Sequence, residues 1–202
     1  MITSAEARLG RNMAILAASG SIIGIAINFL NSSEGWDPLW GLISGIIDFA
    51  SNLGLVVMLI YAIKLFNLED KPFIKALSYI SIIAMTSVMV SDLAPSITSS
   101  GLGTERFGPE EISAIADSVQ SGTWIVVPLW VLLVSMSYRG DILPSWGGWA
   151  GMLAGALMLL LHVIVLSGIG SIEILWPIWL VAGVIGFPLF AFAMSRAFAN
   201  KI

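Results

Sequence analysis

Ionisable and amide side chains inside the most apolar stretches of this sequence are the candidates for chemistry. Asp48 lies within such a stretch, with Ser44 and Asn52 one helical turn before and after it, and His162 lies deep in another. Imidazole exchanges a proton near neutral pH, and a nearby carboxylate can share that proton. If Asp48 and His162 face a common cavity, they would form a proton-accepting pair or the polar end of a ligand pocket. The alternative is that each group is buried and hydrogen-bonded, and serves to fix helix register.

The depths of these two groups agree. At a rise of 1.5 Å per residue, Asp48 lies about 12 Å below Trp40 and His162 about 12 Å below Gly170, two positions expected at the same membrane boundary. Asn28 and Asp92 lie nearer that boundary. The predicted ligand or proton pathway therefore lies in the outer half of a helical bundle. It comprises Asp48, Asn52, Ser44, His162, Asp92 and Asn28.

Other chemistries lack the residues they need. The chain has no cysteine, and one histidine with distant carboxylates does not supply the three or four ligands of an ordinary zinc site. No G-x-S-x-G motif provides an activated serine. A net charge of −4 without a basic run argues against nucleic acid as a partner. We therefore predict no catalytic residue, no metal and no cofactor. The predicted partner is the lipid bilayer, for the reasons of composition that follow.

The elements that position these residues must be membrane-spanning helices. The chain is 57% hydrophobic and only 11% charged over 202 residues, whereas about 25% of residues are charged in soluble domains. Lipid offers backbone amides no partner, so each span must be helical. We predict an all-α bundle in one domain, 1–202, with an outer amphipathic helix over about 109–120. Its six spans are 12–30, 38–66, 73–95, 121–138, 146–170 and 174–196.

The basic residues predict the orientation of the bundle. With six spans, eight of the nine basic residues fall on the side that holds both termini, and Arg106 falls on the other. Basic loops stay on the cytoplasmic side, so we predict a multi-pass plasma-membrane protein with both termini cytoplasmic. The eight are Arg8, Arg11, Lys64, Lys71, Lys75, Arg139, Arg196 and Lys201.

Small residues four apart predict where helices pack closely, because glycines let helix backbones approach each other in lipid. A second backbone should lie along the fifth span, belonging either to this chain or to a second copy or membrane-complex partner. The glycines are Gly20 and Gly24 in the first span, Gly41 and Gly45 in the second, and Gly147, Gly151 and Gly155 in the fifth.

One pattern, P-x-W-G-x-x-x-G, occurs at Pro38 in the second span and again at Pro144 before the fifth. These spans run in opposite directions in the six-span topology. Two inverted three-helix halves, as in secondary transporters, would produce this relation. The fold could therefore be two inverted halves, which a superposition of the two sets of three helices would test.

The segment from Ile142 to Gly155, followed by Trp176-Pro-Ile-Trp179 and Gly186-Phe-Pro188, resembles uncharacterised bacterial multi-helix membrane proteins of the domain-of-unknown-function type. The resemblance covers mainly the last sixty residues. It implies a six-helix bundle and no particular activity, so no functional residue is carried over from it.

Three functions remain open on these grounds. The first is binding or translocation of a small solute or proton through the polar cavity. The alternative is a non-catalytic accessory or assembly subunit of a membrane complex, and the third is an intramembrane enzyme acting on a lipid-like substrate. A cavity at Asp48 and His162 would favour the first, and a closed bundle with glycines facing lipid would favour the second.

Overall fold

A computed structural model describes residues 2–34, 38–92, 111, 114–115, 125–168 and 172–202. The described ranges form long helices and contain no strand, which confirms the all-α prediction. The first three helices are α1 (Ser4–Glu34), α2 (Pro38–Leu65) and α3 (Pro72–Ser91), with a short 3-10 turn at Leu68–Asp70 between the second and third. They are followed by α4 (Val126–Tyr138) and α5 (Ser145–Leu166). The last helix, α6, is α-helical over Ile172–Trp179, π-helical over Leu180–Gly186 and α-helical again over Phe187–Ala199.

Five of these helices, within the part of the chain that the structure describes, are long and apolar enough to cross a membrane. The exception is α4, whose 13 residues rise about 20 Å at 1.5 Å per residue. Its predicted span begins at 121, and residues 121–124 lie outside the described ranges. The predicted outer helix over 109–120 also lies outside them, except that residues 111 and 114–115 are helical.

The first helix begins well before the predicted apolar span, because the sequence supplies a capping box there. The Glu6 amide donates to Thr3 Oγ1 at 3.3 Å, and the Thr3 amide donates to Glu6 Oε2 at 2.9 Å. This reciprocal pair satisfies two amides that a helix start otherwise leaves without partners. The helix therefore starts at Ser4, in the polar segment ahead of the apolar residues.

The six helices form a ring in chain order. Each helix packs against the helices before and after it in the chain, and the Phe187–Ala199 part of α6 returns to pack on α1. Large apolar side chains fill the interior, among them Met58, Met85, Trp130 and Phe190, all fully buried. The indole of Trp130 donates to Ser78 Oγ at 2.7 Å and meets Phe190 edge to face. This contact joins α3, α4 and α6 at the centre of the ring.

The two termini and the basic loops share one end of the ring. Lys64 at the end of α2 pairs with Glu6 at the start of α1 at 2.5 Å, and Ser4 Oγ donates to the carbonyl of Ile202 at 3.3 Å. At the same end, Lys71 lies 4.5 Å from the ring centroid of Tyr138. We call this the basic end of the bundle.

The glycines of α5 contact helices of the same chain. A Cβ at Gly155 would lie 2.6 Å from the carbonyl oxygen of Pro128 on α4, and one at Gly147 would collide with Ala193 on α6. Gly151 lies between Ser135 and Phe190 of the same two helices. Of the two partners considered for this glycine face, the structure contains the intramolecular one, which leaves these three positions no room for a second copy.

The α1–α2 contact uses glycines on both helices. A Cβ at Gly20 would lie 2.7 Å from Ser51 Cβ, and one at Gly24 would collide with the Asp48 carboxylate. Gly54, which we did not predict as a packing residue, lies against the backbone of α1 at Met13. Gly41 and Gly45 are buried on α2. The motif P-x-W-G-x-x-x-G stands at the first turn of both α2 and α5, so its relation to inverted halves stays a prediction.

Candidate functional site

A cavity of about 360 Å³ lies inside the ring, and all six helices or the residues directly after them contribute to its wall. It occupies the half of the bundle opposite the basic end, because Asp48 is near the start of α2 and His162 is near the end of α5. Its apolar wall includes Leu55, Val131 and Met158. Polar lining residues come from α1, α2, the end of α3 and α5. They are Ser21, Asp48, Ser51, Asn52, Asp92 and His162.

The Asp48 carboxylate is held between its own helix and α1. Ser44 Oγ, one turn earlier on α2, donates to Asp48 Oδ2 at 3.2 Å. Gly24 of α1 leaves room for the carboxylate, since a side chain at that position would collide with Asp48 Oδ1. Ser44 is buried behind Asp48 and does not line the cavity. The predicted polar stripe thus divides into one supporting residue and two lining residues, Asp48 and Asn52.

A second carboxylate faces the cavity from the end of α3. Asn52 Nδ2 donates to Asp92 Oδ2 at 2.6 Å, which links α2 to the residue directly after α3. Asp92 lies beyond the apolar span of α3, Pro72–Met89. Burial raises the pKa of Asp92 to about 6, against the opposing effect of the Asn52 hydrogen bond, and the charge of Asp48 raises it further. This carboxyl group therefore changes protonation close to neutral pH.

His162 contributes one free nitrogen to the cavity. Its side chain is only 9% exposed, and Nδ1 lies 2.7 Å from the carbonyl oxygen of Met158, one turn earlier on α5. A carbonyl only accepts hydrogen bonds, so Nδ1 carries a hydrogen, and in the tautomer with a single N–H the lone pair is on Nε2. Nε2 has no hydrogen-bond partner in the part of the chain that the structure describes. In that tautomer it can accept a hydrogen bond from a ligand.

The structure brings four of the six predicted pathway residues to one cavity. Asp48, Asn52, Asp92 and His162 line it, and Ser44 supports Asp48 from behind. The side chain of Asn28 lies outside the described residues. Asp48 and His162 share the cavity, whereas the hydrogen bond described for His162 goes to its own helix. Their proposed role in a pathway stays a prediction.

The π-helical segment of α6 and the residues on either side of it supply part of the wall that sequence reasoning missed. Trp179, Gly183 and Phe187 line the cavity, and the Phe187 amide donates to the carbonyl of Ala182, five residues earlier. Pro188 follows directly and has no amide hydrogen to continue an α-helical ladder. The sequence signal was therefore Pro188 inside an apolar span. π-helical turns occur frequently at functional sites, because they displace side chains from α-helical register.

Ser51 is a second missed lining residue, and its hydroxyl is already used in packing. Ser51 Oγ donates to the carbonyl of Ala17 on α1 at 2.9 Å. Among the described residues, no group of three or more His, Asp or Glu side chains is placed to hold a metal ion. Comparisons with protein-family models, curated proteins and solved structures found no match to this chain. Its function must therefore be inferred from the geometry of the site.

Proposed function

We propose that this chain is an integral membrane protein whose cavity binds a small solute or a proton and takes part in its translocation. The observation that carries the proposal is the position of the cavity, which gathers Asp48, Asn52, Asp92 and His162 inside a ring of apolar helices. Ionisable groups within membrane-spanning helices, here Asp48 and His162, are costly and mark ion or substrate pathways. A volume of about 360 Å³ falls in the range of small-molecule sites.

The cavity also has a proposed location in the membrane. A plasma-membrane orientation with the basic end in the cytoplasm follows the distribution of Lys and Arg. The cavity would then lie in the outer half of the membrane, and passage of a solute would require the inner half of the ring to open. The π-helical segment of α6 is suited to such a movement, because it lines the cavity and departs from α-helical hydrogen bonding.

The two other functions have less support. An accessory subunit that uses the α5 glycine face would need Gly147, Gly151 and Gly155 to be open, and each of the three packs against α4, α6 or both. An intramembrane enzyme would need a metal or an activated nucleophile beside His162. The described residues contain no group of three metal-ligating side chains, and the Ser51 hydroxyl donates to Ala17. Binding or translocation uses the groups that are present.

Cysteine accessibility tests this proposal, since the chain contains no cysteine and needs no background substitution. Val131→Cys places a thiol on the cavity wall, and Val134→Cys places one on the same helix in the closed core. Each protein is reconstituted in vesicles of known orientation and treated with a membrane-impermeant methanethiosulfonate from one side and then from the other. We expect the Val131→Cys thiol to react from both sides if the cavity alternates and from one side if it only binds. The Val134→Cys thiol should stay unreactive.

Failure of the Val131→Cys thiol to react from either side would contradict the proposal. Leu153→Cys is a second control, because Leu153 is on the outward surface of α5, next to the lining residue Ala154. A thiol facing lipid reacts poorly, because the thiolate is the nucleophile that attacks the reagent's sulfur and displaces methanesulfinate, and both the thiolate and the charged reagent require water. If the Val131→Cys thiol reacts and the Leu153→Cys thiol does not, the water that reaches α4 and α5 lies inside the ring.

A further inference from the structure

We infer that the cavity selects a small organic cation, a protonated amine with an apolar body, and we rest this on the proposed binding function. The inference concerns the chemical class of the ligand. Three properties of the described lining residues support it: their charge, the direction of their hydrogen bonds and their apolar surface.

The charge of the lining residues is negative. Asp48 and Asp92 both face the cavity, whereas the described wall contains no Lys or Arg. In an interior of low dielectric constant, a cation between two carboxylates is attracted far more strongly than in water. An anionic ligand would be repelled by the same groups. A bound cation also offsets the repulsion between the two carboxylates.

The hydrogen-bonding capacity of the wall favours a ligand that donates. The Ser51 hydroxyl donates to Ala17, one Asn52 N–H donates to Asp92, and the His162 Nδ1–H donates to Met158. Three lining donors are thus used within the protein. Nε2 of His162 remains as an acceptor, nine-tenths buried and without a partner in the described part of the chain. An ammonium group can donate to this nitrogen and to the carboxylates of Asp48 and Asp92.

The rest of the wall suits an organic body. Leu55, Met158 and Leu161 line the cavity together with the aromatic residues Trp179 and Phe187 of α6. Aromatic faces attract organic cations and aliphatic side chains pack against their carbon atoms. A bare divalent ion would require six or more oxygen ligands for Ca²⁺ or near-octahedral ligands for Mg²⁺. The described residues contain no group of three metal-ligating side chains.

The first test measures the sign of the charge that the cavity accepts. The Val131→Cys protein is treated with a cationic reagent, trimethylammonioethyl methanethiosulfonate, and with an anionic one, sulfonatoethyl methanethiosulfonate. Each rate is divided by the rate with a free thiol in solution. We expect the normalised rate of the cationic reagent to be at least about ten times that of the anionic one. A tenfold ratio corresponds to about 1.4 kcal/mol of Coulomb attraction. Asp48→Asn should lower it, whereas Asp141→Asn, in an exposed loop at the basic end, should not.

The second test measures recognition of the ammonium group. Protonated 2-phenylethylamine should slow the labelling of the Val131→Cys thiol, whereas 2-phenylethanol, of the same size but neutral, should not. His162→Phe removes Nε2 and should weaken protection by the amine severalfold, while the cation-to-anion ratio keeps its value above one. Size-exclusion profiles and melting temperatures of all variants are compared first, so that only folded protein is used.

Failure of the cation inference and failure of the binding function are distinguishable. Equal rates for the two reagents, faster reaction of the anionic one, or equal protection by the alcohol would overturn the cation inference. The proposed binding function would still hold in these cases, because the Val131→Cys thiol would have reacted. An amine that gives no protection would also overturn the cation inference. An unreactive thiol in Val131→Cys would overturn the proposed function itself.

Discussion

Among the residues that line the cavity, Asp92 makes the clearest pH-dependent contribution to folding stability. In an unfolded chain its carboxyl group would have its ordinary pKa near 3.8, whereas burial raises the value in the folded protein to about 6. Between these values the folded protein binds the proton more tightly than the unfolded chain. The contribution of Asp92 to stability is therefore complete below pH 3.8 and is lost as the pH rises through 6.

Replacing Asp92 with Asn should reduce this dependence. We expect the wild-type melting temperature to fall between about pH 4 and pH 7, and the fall to be smaller in Asp92→Asn, because the amide does not titrate. Thermal unfolding in a mild detergent at several pH values measures the difference. Asp141→Asn, in an exposed turn, is the control. An identical fall in wild type and Asp92→Asn would contradict the assignment.

Trp130 provides a stability prediction for the centre of the ring. Trp130→Phe keeps an aromatic ring next to Phe190 but removes the indole donor to Ser78 Oγ. The cost should be at least about 1 kcal/mol, from the lost hydrogen bond and the volume left empty. A double-mutant cycle with Ser78→Ala, read by unfolding in detergent, measures the coupling between the two residues. Strictly additive effects would show that the bond does not contribute.

At the residue scale, the sequence predicted candidates by rarity but not their partners. Asp48 and His162 stand out because few polar groups occur in apolar spans. The Asn52–Asp92 hydrogen bond joins residues 40 positions apart, and no helical period relates them. Their meeting depends on how α2 packs on α3. The ring nitrogen of His162 that carries the hydrogen was not predictable either. It depends on the side-chain rotamer that brings Nδ1 to the carbonyl of Met158.

Among the helices, α5 depends most on the absence of side chains. Gly155→Ala would bring a Cβ within 2.6 Å of the Pro128 carbonyl oxygen and 2.8 Å of the Leu132 backbone. Backbone atoms cannot turn aside, so we expect a loss of about 1–3 kcal/mol, as for other overpacked interiors. The unfolding free energy in detergent is the measurement.

Gly183→Ala is the matched control for that substitution. The nearest atom to a Cβ at Gly183 is Trp179 Nε1, at 3.6 Å, an ordinary contact. Alanine also favours helical conformations over glycine, so we expect stability to stay equal or to rise slightly. Equal losses for Gly155→Ala and Gly183→Ala would show that α5 does not approach α4 as closely as described.

At the scale of elements, the apolar spans were predictable and their local geometry was less so. Apolar runs of about twenty residues indicate spanning helices directly. Pro188 indicates a disturbance in the last span, but a kink, a break and a π-helical segment are all compatible with proline. The choice depends on whether neighbouring helices accept the displaced side chains. The early start of α1 was readable in principle, because Thr3 and Glu6 have the spacing of a capping box.

For the whole molecule, ring closure explains both the cavity and the common position of the termini. An even number of antiparallel helices returns the chain to its starting side, and the contact between Ser4 and Ile202 closes the ring there. The number of helices followed from hydropathy, and the shared side of the termini followed from that even number. The cavity volume did not, because it depends on how six helices of unequal length meet.

The orientation in the membrane is a prediction for the whole molecule. In a bacterial host, alkaline phosphatase fused after Ile202 should be inactive and green fluorescent protein fused there should be fluorescent, as a cytoplasmic terminus requires. Removing basic residues from a loop should change the orientation, because basic loops determine topology. Replacing Lys71 and Lys75 together with Gln should lower the fraction of correctly oriented protein, whereas replacing Glu69 with Gln should change it little. A periplasmic terminus in the wild-type fusion would contradict this orientation and place the cavity in the inner half.

The measurement that tests the proposed binding site most directly is an experimental density map of the protein in native-lipid discs, prepared without harsh detergent. We predict ordered water or ligand density inside the ring, within hydrogen-bonding distance of His162 Nε2 and facing Asp48. A dry and closed bundle, in which protein side chains fill this space and Nε2 bonds to a protein group, would contradict the proposed site.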